Sequence, residues 1–413
     1  MLNRNNLHLL LPCLAFASLV SILPLAFVYE KGGRVLFYYC AYFSLTGLVL
    51  DAFKKKTINL KNSKALAMLM LGVMFIGWSL YAKYYDGEAG ELYFTAGKRC
   101  ALAFIIMTYI FYLYREKVLD NALIIKCCAI SLVLAFITSS SFAFIQALTS
   151  PERVVLGINR ATLTAYAYSA VTLALITWIL YSVESHYKKL YFLAVAIISL
   201  GVIMLTQTRS AMVIHTLLLA YLTFRLFTLT RNIKFIGFVA LLMLVAVGLS
   251  YKVIETRFDT SVQEYHDYQQ GNDRTSLGSR FTMWKTGILS FEQAPFGQSQ
   301  TERNQFITHY LDAHNNKDSW AIIYIKVHLH NEFIQYASLF GVLGVLVLLY
   351  FFYIFIIAEY KRNGSLTPIA MAAIAILLYG MTDVVLTSIE FIAMFSVLVV
   401  MLTLMGNKET KRR

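Results

Sequence analysis

"KVHLHNEFIQYASLFGVLGVLVLLYFFYIFIIA", residues 326–358, joins two histidines, an asparagine and a glutamate to the longest apolar run in the chain. About 20 consecutive apolar residues are enough to cross a bilayer as a helix. Ionisable groups at the edge of such a span are costly unless they are paired or used. The stretch therefore predicts a spanning helix from about residue 334, and it asks what the "HLHNE" head is for.

The rest of the chain repeats the apolar theme. Hydrophobic residues make up 58% of the 413 and charged residues only 14%, against about 25% charged in soluble domains. The apolar runs are long and uninterrupted, as helical spans require, and lack the alternating pattern of barrel strands. The fold class expected is an all-α polytopic membrane protein with twelve spans, near 9–28, 34–51, 65–84, 99–114, 121–147, 161–182, 189–206, 210–228, 233–252, 334–358, 367–385 and 388–405. The first has no small-residue cleavage site and reads as a retained span. All five cysteines fall in or beside spans, so neither a disulfide framework nor a cysteine metal site is suggested.

The formal charge of +13 does not imply a nucleic-acid partner, because the basic residues are spread over short inter-helix loops. "DAFKKKTINLKNSK" (51–64), "REK" (115–117), "YKK" (187–189), "RNIK" (231–234), "YKR" (360–362) and "KETKRR" at the end alternate onto one side. By the positive-inside rule that side is cytoplasmic, and both termini lie there. The division expected is 1–252 (nine spans), 253–333 (a large, partly helical periplasmic loop), 334–405 (three spans) and 406–413 (a cytoplasmic tail). Loops as long as 253–333 are usually functional or carry their own structure. Within it "SLGSRFTMWKTGILSFEQAP" (276–295) reads as an amphipathic helix, with Phe281, Trp284, Ile288 and Phe291 at helical spacing. Such a helix would lie on the membrane surface or cap a cavity.

The polar groups on the side away from the cytoplasm converge. Arg209 ends "LTQTR" where two spans meet; Arg280 lies on the amphipathic helix; Arg153 and Arg160 flank the loop before the sixth span. His328, His330, Asn331 and Glu332 precede the tenth span, and Asp383 lies near the outer end of the eleventh. Singly, each has a plainer reading. Arg209 would snorkel to headgroups, Arg280 would bind anionic lipid, Asp383 would pair with an arginine, and a span-end histidine is most often interfacial.

No metal site is expected. On a helix, two histidines two residues apart point to nearly opposite faces, and no third ligand with a matching motif is evident. Motifs for nucleotide hydrolysis and serine-hydrolase chemistry are also absent. Arginines without a metal can hold a diphosphate by bidentate hydrogen bonds, and a neutral histidine can take a proton from an incoming hydroxyl. Those residue types suit group transfer from a lipid diphosphate.

"LTQTRS", "SLGSRFTMWKTGI" and "VHLHNE", in this order and separated by these spans, resemble the O-antigen ligases of Gram-negative bacteria. The resemblance implies a GT-C type architecture in the inner membrane, with the active site facing the periplasm. It implies transfer of O-antigen polysaccharide from undecaprenyl diphosphate to a sugar hydroxyl of lipid A–core, inverting and without metal, ATP or cofactor. Arg209 and Arg280 would hold the donor diphosphate, and His330, just before Asn331 in the family's His-Asn pair, would be the base. Arg153, Arg160, His328, Asn331, Glu332 and Asp383 are secondary candidates. An O-antigen polymerase, which shares the donor, is the nearest alternative. A flippase or exporter of lipid-linked saccharide is more distant, because the ionisable residues gather at one face and not along a path.

Overall fold

A computed structural model describes residues 9–54, 62–158, 160–231 and 251–406, with Gly237 and Gly248. The ninth expected span (233–252), the lysines of 55–61 and the tail from 407 fall almost wholly outside these residues. Every regular element among the described residues is helical. Among the described residues nine helical segments are long and apolar enough to cross a membrane, two of them within Ser63–Arg115, which makes this a membrane protein; Leu10–Ala26 and Pro368–Gly380 are apolar but shorter. The expected count of twelve is therefore not met by length among the described residues.

In chain order the helices are α1 (Leu10–Ala26), α2 (Glu30–Lys54), α3 (Ser63–Arg115), α4 (Asn121–Thr149), α5 (Ala161–Ser182), α6 (Lys188–Leu205) and α7 (Arg209–Thr230). Then come α8 (Tyr251–Gln269), α9 (Ser276–Gln293), α10 (Gln300–Ala313), α11 (Ala321–Tyr324), α12 (Glu332–Phe352), α13 (Pro368–Gly380) and α14 (Ile389–Gly406). Residues 85–98, expected as the connection between two spans, are helical within α3. Even so, α3 holds both spans: a Cβ on Gly72 would lie 2.9 Å from Cys100 Cβ and 3.0 Å from Gly97 O. A straight helix would separate residues 72 and 97 by about 37 Å, so α3 doubles back on itself, and two glycines let its arms touch.

At the centre stands α5, which packs against α4, α6, α7, α13 and α14 and is buried along almost its whole length. Its sequence, rich in Ala, Thr, Ser and Leu with no polar face, suits such a position, because small residues let neighbouring helices approach. Polar atoms here are spent on ties between helices. Ser169 Oγ meets His215 Nδ1 at 2.9 Å, His215 Nε2 meets Ser199 Oγ at 3.1 Å, and the Tyr379 hydroxyl donates to Ser169 at 2.6 Å. Toward the far end of α12's rod, buried Lys64 pairs with Glu359 at 2.9 Å.

The long connection is a small helical lobe, α8 to α11, with its own core of Met283, Ile307, Leu311, Ala321, Ile325 and Leu329. The amphipathic expectation for α9 holds for its extent, but the apolar stripe is not the packed face. Gly278, Ser279, Thr282, Met283, Thr286, Gly287 and Ser290 are buried, whereas Ile288 is half exposed. Small residues win that face because α9 lies close on α12: a Cβ on Gly287 would fall 2.6 Å from Ile334 Cγ2.

The lobe is fastened by a break in α12. Gly341 adopts φ 65°, ψ −155°, and the segment after α9 fills the gap. Val342 N–H donates to Pro295 O at 2.8 Å, Gln298 N–H to Leu339 O at 3.0 Å, and Gln298 Nε2 to Ser338 O at 2.9 Å. Backbone groups freed inside a membrane span must find protein partners, and here the lobe supplies them. A Cβ at Gly341 would lie 2.3 Å from Pro295 O, in a backbone region that is essentially glycine-only and costs other residues about 1–3 kcal/mol. Gly341→Ala should therefore lower the thermal midpoint of the detergent-purified protein by several degrees or prevent recovery of folded material. Gly77→Ala, whose Cβ would meet nothing within 4 Å, should leave the midpoint unchanged or slightly raised.

Candidate functional site

The "HLHNE" head is not helical where it carries its histidines. Residues 328–331 precede α12, and Asn331 is its N-cap, accepting from Ile334 N–H at 3.1 Å. The helical-face reasoning used for His328 and His330 therefore does not apply. His330 sits at φ 50°, a left-handed conformation uncommon for a non-glycine residue. This turn folds the two rings together, with centroids 4.2 Å apart.

Asp383, from the α13–α14 connection, completes the group. Its Oδ1 lies 3.3 Å from His330 Nδ1 and 3.8 Å from His328 Nε2. The missing third ligand is thus present: one atom from each of His328, His330 and Asp383 falls within 4.8 Å of the others, a set that satisfies the donor types of a metal site. Sequence spacing could not reveal it, since 53 residues of chain separate Asp383 from His330.

Two other residues of the head hold these loops together. Glu332 is fully buried and its carboxylate accepts the Val385 amide at 2.7 Å and the Leu386 amide at 3.1 Å. Asn331 Nδ2 donates to Met381 O at 2.9 Å. Both residues therefore tie the connection that carries Asp383 to the start of α12.

Protonation follows from the contacts. His330 N–H donates to His328 Nδ1 at 3.3 Å, so neutral His328 carries its proton on Nε2, toward Asp383. Burial, the neighbouring His330 imidazole and the guanidiniums of Arg280 and Arg160 drive His328 down to about 4, against the pull of Asp383. Burial pushes the Asp383 carboxyl up. The polar contact with His330, the two imidazoles and the Val384 amide outweigh it and leave the acid below its ordinary value.

The arginines divide. Arg280 is half-buried, close enough to His328 to oppose its protonation, and among the described residues it has no hydrogen-bond or ion-pair partner. Exposed Arg160 acts on His328 in the same way. Arg209 opens α7, after a turn with Gln207 at φ 50°. It does not simply reach for headgroups: it pairs with Glu264 at 3.3 Å and with Ser261 Oγ at 3.0 Å. Arg153 donates to Thr206 O at 2.9 Å and Thr208 Oγ1 at 3.0 Å, which pins the "LTQTR" turn. Between these groups Tyr166 links Ser210, at 2.8 Å, to the site, stacked on Tyr379 at 4.3 Å and within electrostatic reach of Asp383 and Arg280.

Two residues that sequence reasoning missed lie beneath the histidine loop. Fully buried Arg303 donates to Ile325 O at 2.6 Å and to Gln335 Oε1 at 3.0 Å. Gln335 accepts Leu329 N–H at 2.9 Å and donates to Tyr93 OH at 2.6 Å. A buried guanidinium needs such partners on every side. The available signal was a lone arginine in the otherwise ordinary helix "QTERNQFITHYLDA", which does not distinguish a buried arginine from an exposed one.

These features define a polytopic membrane protein that gathers two histidines, an aspartate and a guanidinium with no partner among the described residues. Residues 193–349 match the family model described as O-antigen ligase, a span that includes Arg209, Arg280, His328, His330, Asn331 and Glu332. The chain is 26% identical over 279 residues to the O-antigen ligase of Escherichia coli (strain K12), and the alignment covers 67% of this chain and 65% of that protein. It thus spans just under two thirds of that relative's length. Both findings bear out the resemblance to O-antigen ligases.

The depressed His328 has a measurable consequence. Unfolded, the imidazole titrates near its ordinary ~6.5; folded, it titrates at about 4. Between these values the unfolded chain binds more protons at this imidazole, so the stability that His328 contributes falls as pH drops through that window. Asp383, already below its ordinary value, contributes its own loss only at lower pH. His328→Asn keeps an acceptor for the His330 amide and removes the titration. Its thermal midpoint should fall less than the wild type's between pH 7 and pH 4.5, and equal falls would contradict the assignment.

Proposed function

We propose that this protein is an inner-membrane O-antigen ligase, a glycosyltransferase that moves O-antigen polysaccharide from undecaprenyl diphosphate to a sugar hydroxyl of lipid A–core. Both termini would be cytoplasmic, and the site would face the periplasm. The observation that carries the reading is His330 Nδ1 at 3.3 Å from Asp383. His330 Nδ1 makes no aligned hydrogen bond in the structure; the charge of the carboxylate beside it would favour the tautomer with the proton on Nδ1, and a small turn of the ring would complete the bond and leave Nε2 as the base, the logic of Asp–His pairs elsewhere.

The acceptor oxygen would attack the anomeric carbon from the face opposite the diphosphate while His330 Nε2 takes its proton. The bond from the anomeric carbon to the diphosphate oxygen would break, and undecaprenyl diphosphate would leave with the electron pair. Inversion follows from that geometry. Arg280 and Arg160, whose charges bear on the neighbouring His328, would hold the developing charge. Arg209 would contribute from its helix N-terminus, where an anion is favoured. Its five N–H donors would be shared between Glu264 and the donor. Membrane lipid and the undecaprenyl chain would lie against the spans.

One observation favours a second reading, a metal-assisted transfer, because the His328–His330–Asp383 set has suitable ligand types. Against it stand Arg280 and Arg160, whose charges bear on the same imidazole and would oppose a dication. The polymerase alternative would use the same groups with another lipid-linked saccharide as acceptor.

Transfer by purified protein from lipid-linked polymer to lipid A–core tests the proposal. His330→Ala should reduce transfer at least about 100-fold, within the range of general-base catalysis, while inserting normally. Arg280→Lys should also be damaging, since a lysine cannot hold a diphosphate bidentately. Incubation with EDTA should leave the rate unchanged. Loss restored by zinc would favour the metal reading, and normal transfer by His330→Ala would sink the assignment of the base.

A further inference from the structure

Away from the histidines the lobe holds a cavity of about 330 Å³, between the end of α8, α9 and the end of α10. Its lining includes Tyr268, Asp273, Lys285, Tyr310, His314 and Asn316. On α9, Thr282, Lys285 and Thr286 face this cavity, whereas Trp284 donates its indole N–H to His330 O at 3.3 Å. At 100° per residue these sets lie on opposite sides of the helix. The cavity is therefore separated from His330 by about one helix diameter, ~10 Å.

The floor is preformed. Buried Asp273 Oδ2 accepts from Thr282 Oγ1 at 2.7 Å, from Asn316 Nδ2 at 3.3 Å and from the Ser319 hydroxyl, so one carboxylate ties α9 to the turn after α10. On the wall, His314 stacks on Tyr310 with centroids 4.1 Å apart, and its Nδ1 meets Tyr310 O at 2.7 Å. A carbonyl only accepts, so Nδ1 carries the proton and Nε2 is left as an acceptor. Lys285 Nζ stands 6.0 Å from the Tyr310 ring centre and supplies donors.

The lining combines aromatic rings, amides, hydroxyls, one imidazole acceptor and one ammonium, with the single lysine offset by the single aspartate. It is too polar for a lipid chain and lacks the guanidinium cluster that would select a diphosphate. A molecule with apolar ring faces and a rim of hydroxyls, each both donor and acceptor, meets every part of it. The volume lies at the small end of the ~300–1,000 Å³ range of small-molecule pockets.

We propose that this cavity is a saccharide subsite that holds a sugar unit some distance along a chain whose reacting end lies at His330. The inference rests on the transferase reading above and adds to it a second point of contact for the polymer. A sugar bound here belongs either to the donor polysaccharide or to the core of the acceptor, and the same chemistry serves both.

The test uses the full-length protein in detergent with two soluble probes, O-polysaccharide and core oligosaccharide, each released from lipid by mild acid. Binding is followed by saturation-transfer NMR and titration for wild type and for Lys285→Ala/His314→Ala, two exposed residues whose removal should leave the thermal midpoint in place. The subsite predicts at least a tenfold loss of affinity in the double variant for one probe. Loss with the polysaccharide assigns the cavity to the donor, and loss with the core oligosaccharide assigns it to the acceptor. Equal affinity of wild type and variant for both probes, or no binding of either, overturns the proposal. Failure of the transferase reading is seen separately, as wild-type protein that transfers no saccharide to lipid A–core.

Discussion

The site depends on a buried carboxylate that is not itself the reactive group. Glu332 opens α12 and accepts the amides of Val385 and Leu386, while Asn331 beside it holds Met381 O. These bonds clamp the α13–α14 connection against the residues that precede α12. Two loops more than 50 residues apart in sequence become one surface, and Asp383 is delivered to within 3.3 Å of His330. N–H donors offset part of the cost of burying a carboxyl group, and here those donors belong to the loop that must be placed.

The same economy recurs in the frame. Arg303 and Gln335 support the histidine loop from below through backbone carbonyl and amide groups. Arg153 supports the turn that presents Arg209. The break at Gly341 lets the lobe insert its own backbone into a spanning helix, so the helix that carries Glu332 and the lobe that carries Arg280 cannot shift independently. Reactive groups are few, and most polar residues near them hold backbone in place. Side chains set by packed, hydrogen-bonded neighbours keep the tight geometry that the proposed proton transfer would need.

Much of this was legible in the sequence because the bilayer writes strongly. Apolar runs gave the helical class and most of the spans, and "SLGSRFTMWKTGI" was read correctly as a helix. The doubling of α3 was legible as two apolar runs, whereas the helical form of the residues that join them was not. The histidine geometry was hidden because a helical face was assumed where the chain turns through a left-handed residue, and no local pattern marks His330 for φ 50°. Asp383 was found by its side of the membrane, but its partner was not. Arg303 was missed altogether, since burial of an arginine depends on elements that meet only in the folded lobe. The apolar stripe on α9 misled about its packed face because close approach to α12 favours small residues over large ones.

The central claim is that Asp383 holds His330 in the tautomer that presents Nε2 to an acceptor hydroxyl. The most direct measurement is the turnover of purified Asp383→Asn with lipid-linked polysaccharide and lipid A–core, beside wild type of matched thermal stability. An amide of the same shape keeps the packing but lets the imidazole take the wrong tautomer, a change that costs about 10⁴ in comparable Asp–His pairs. A fall of at least about 100-fold in turnover, with the folded state intact, is the result the account predicts. Turnover equal to wild type would contradict it.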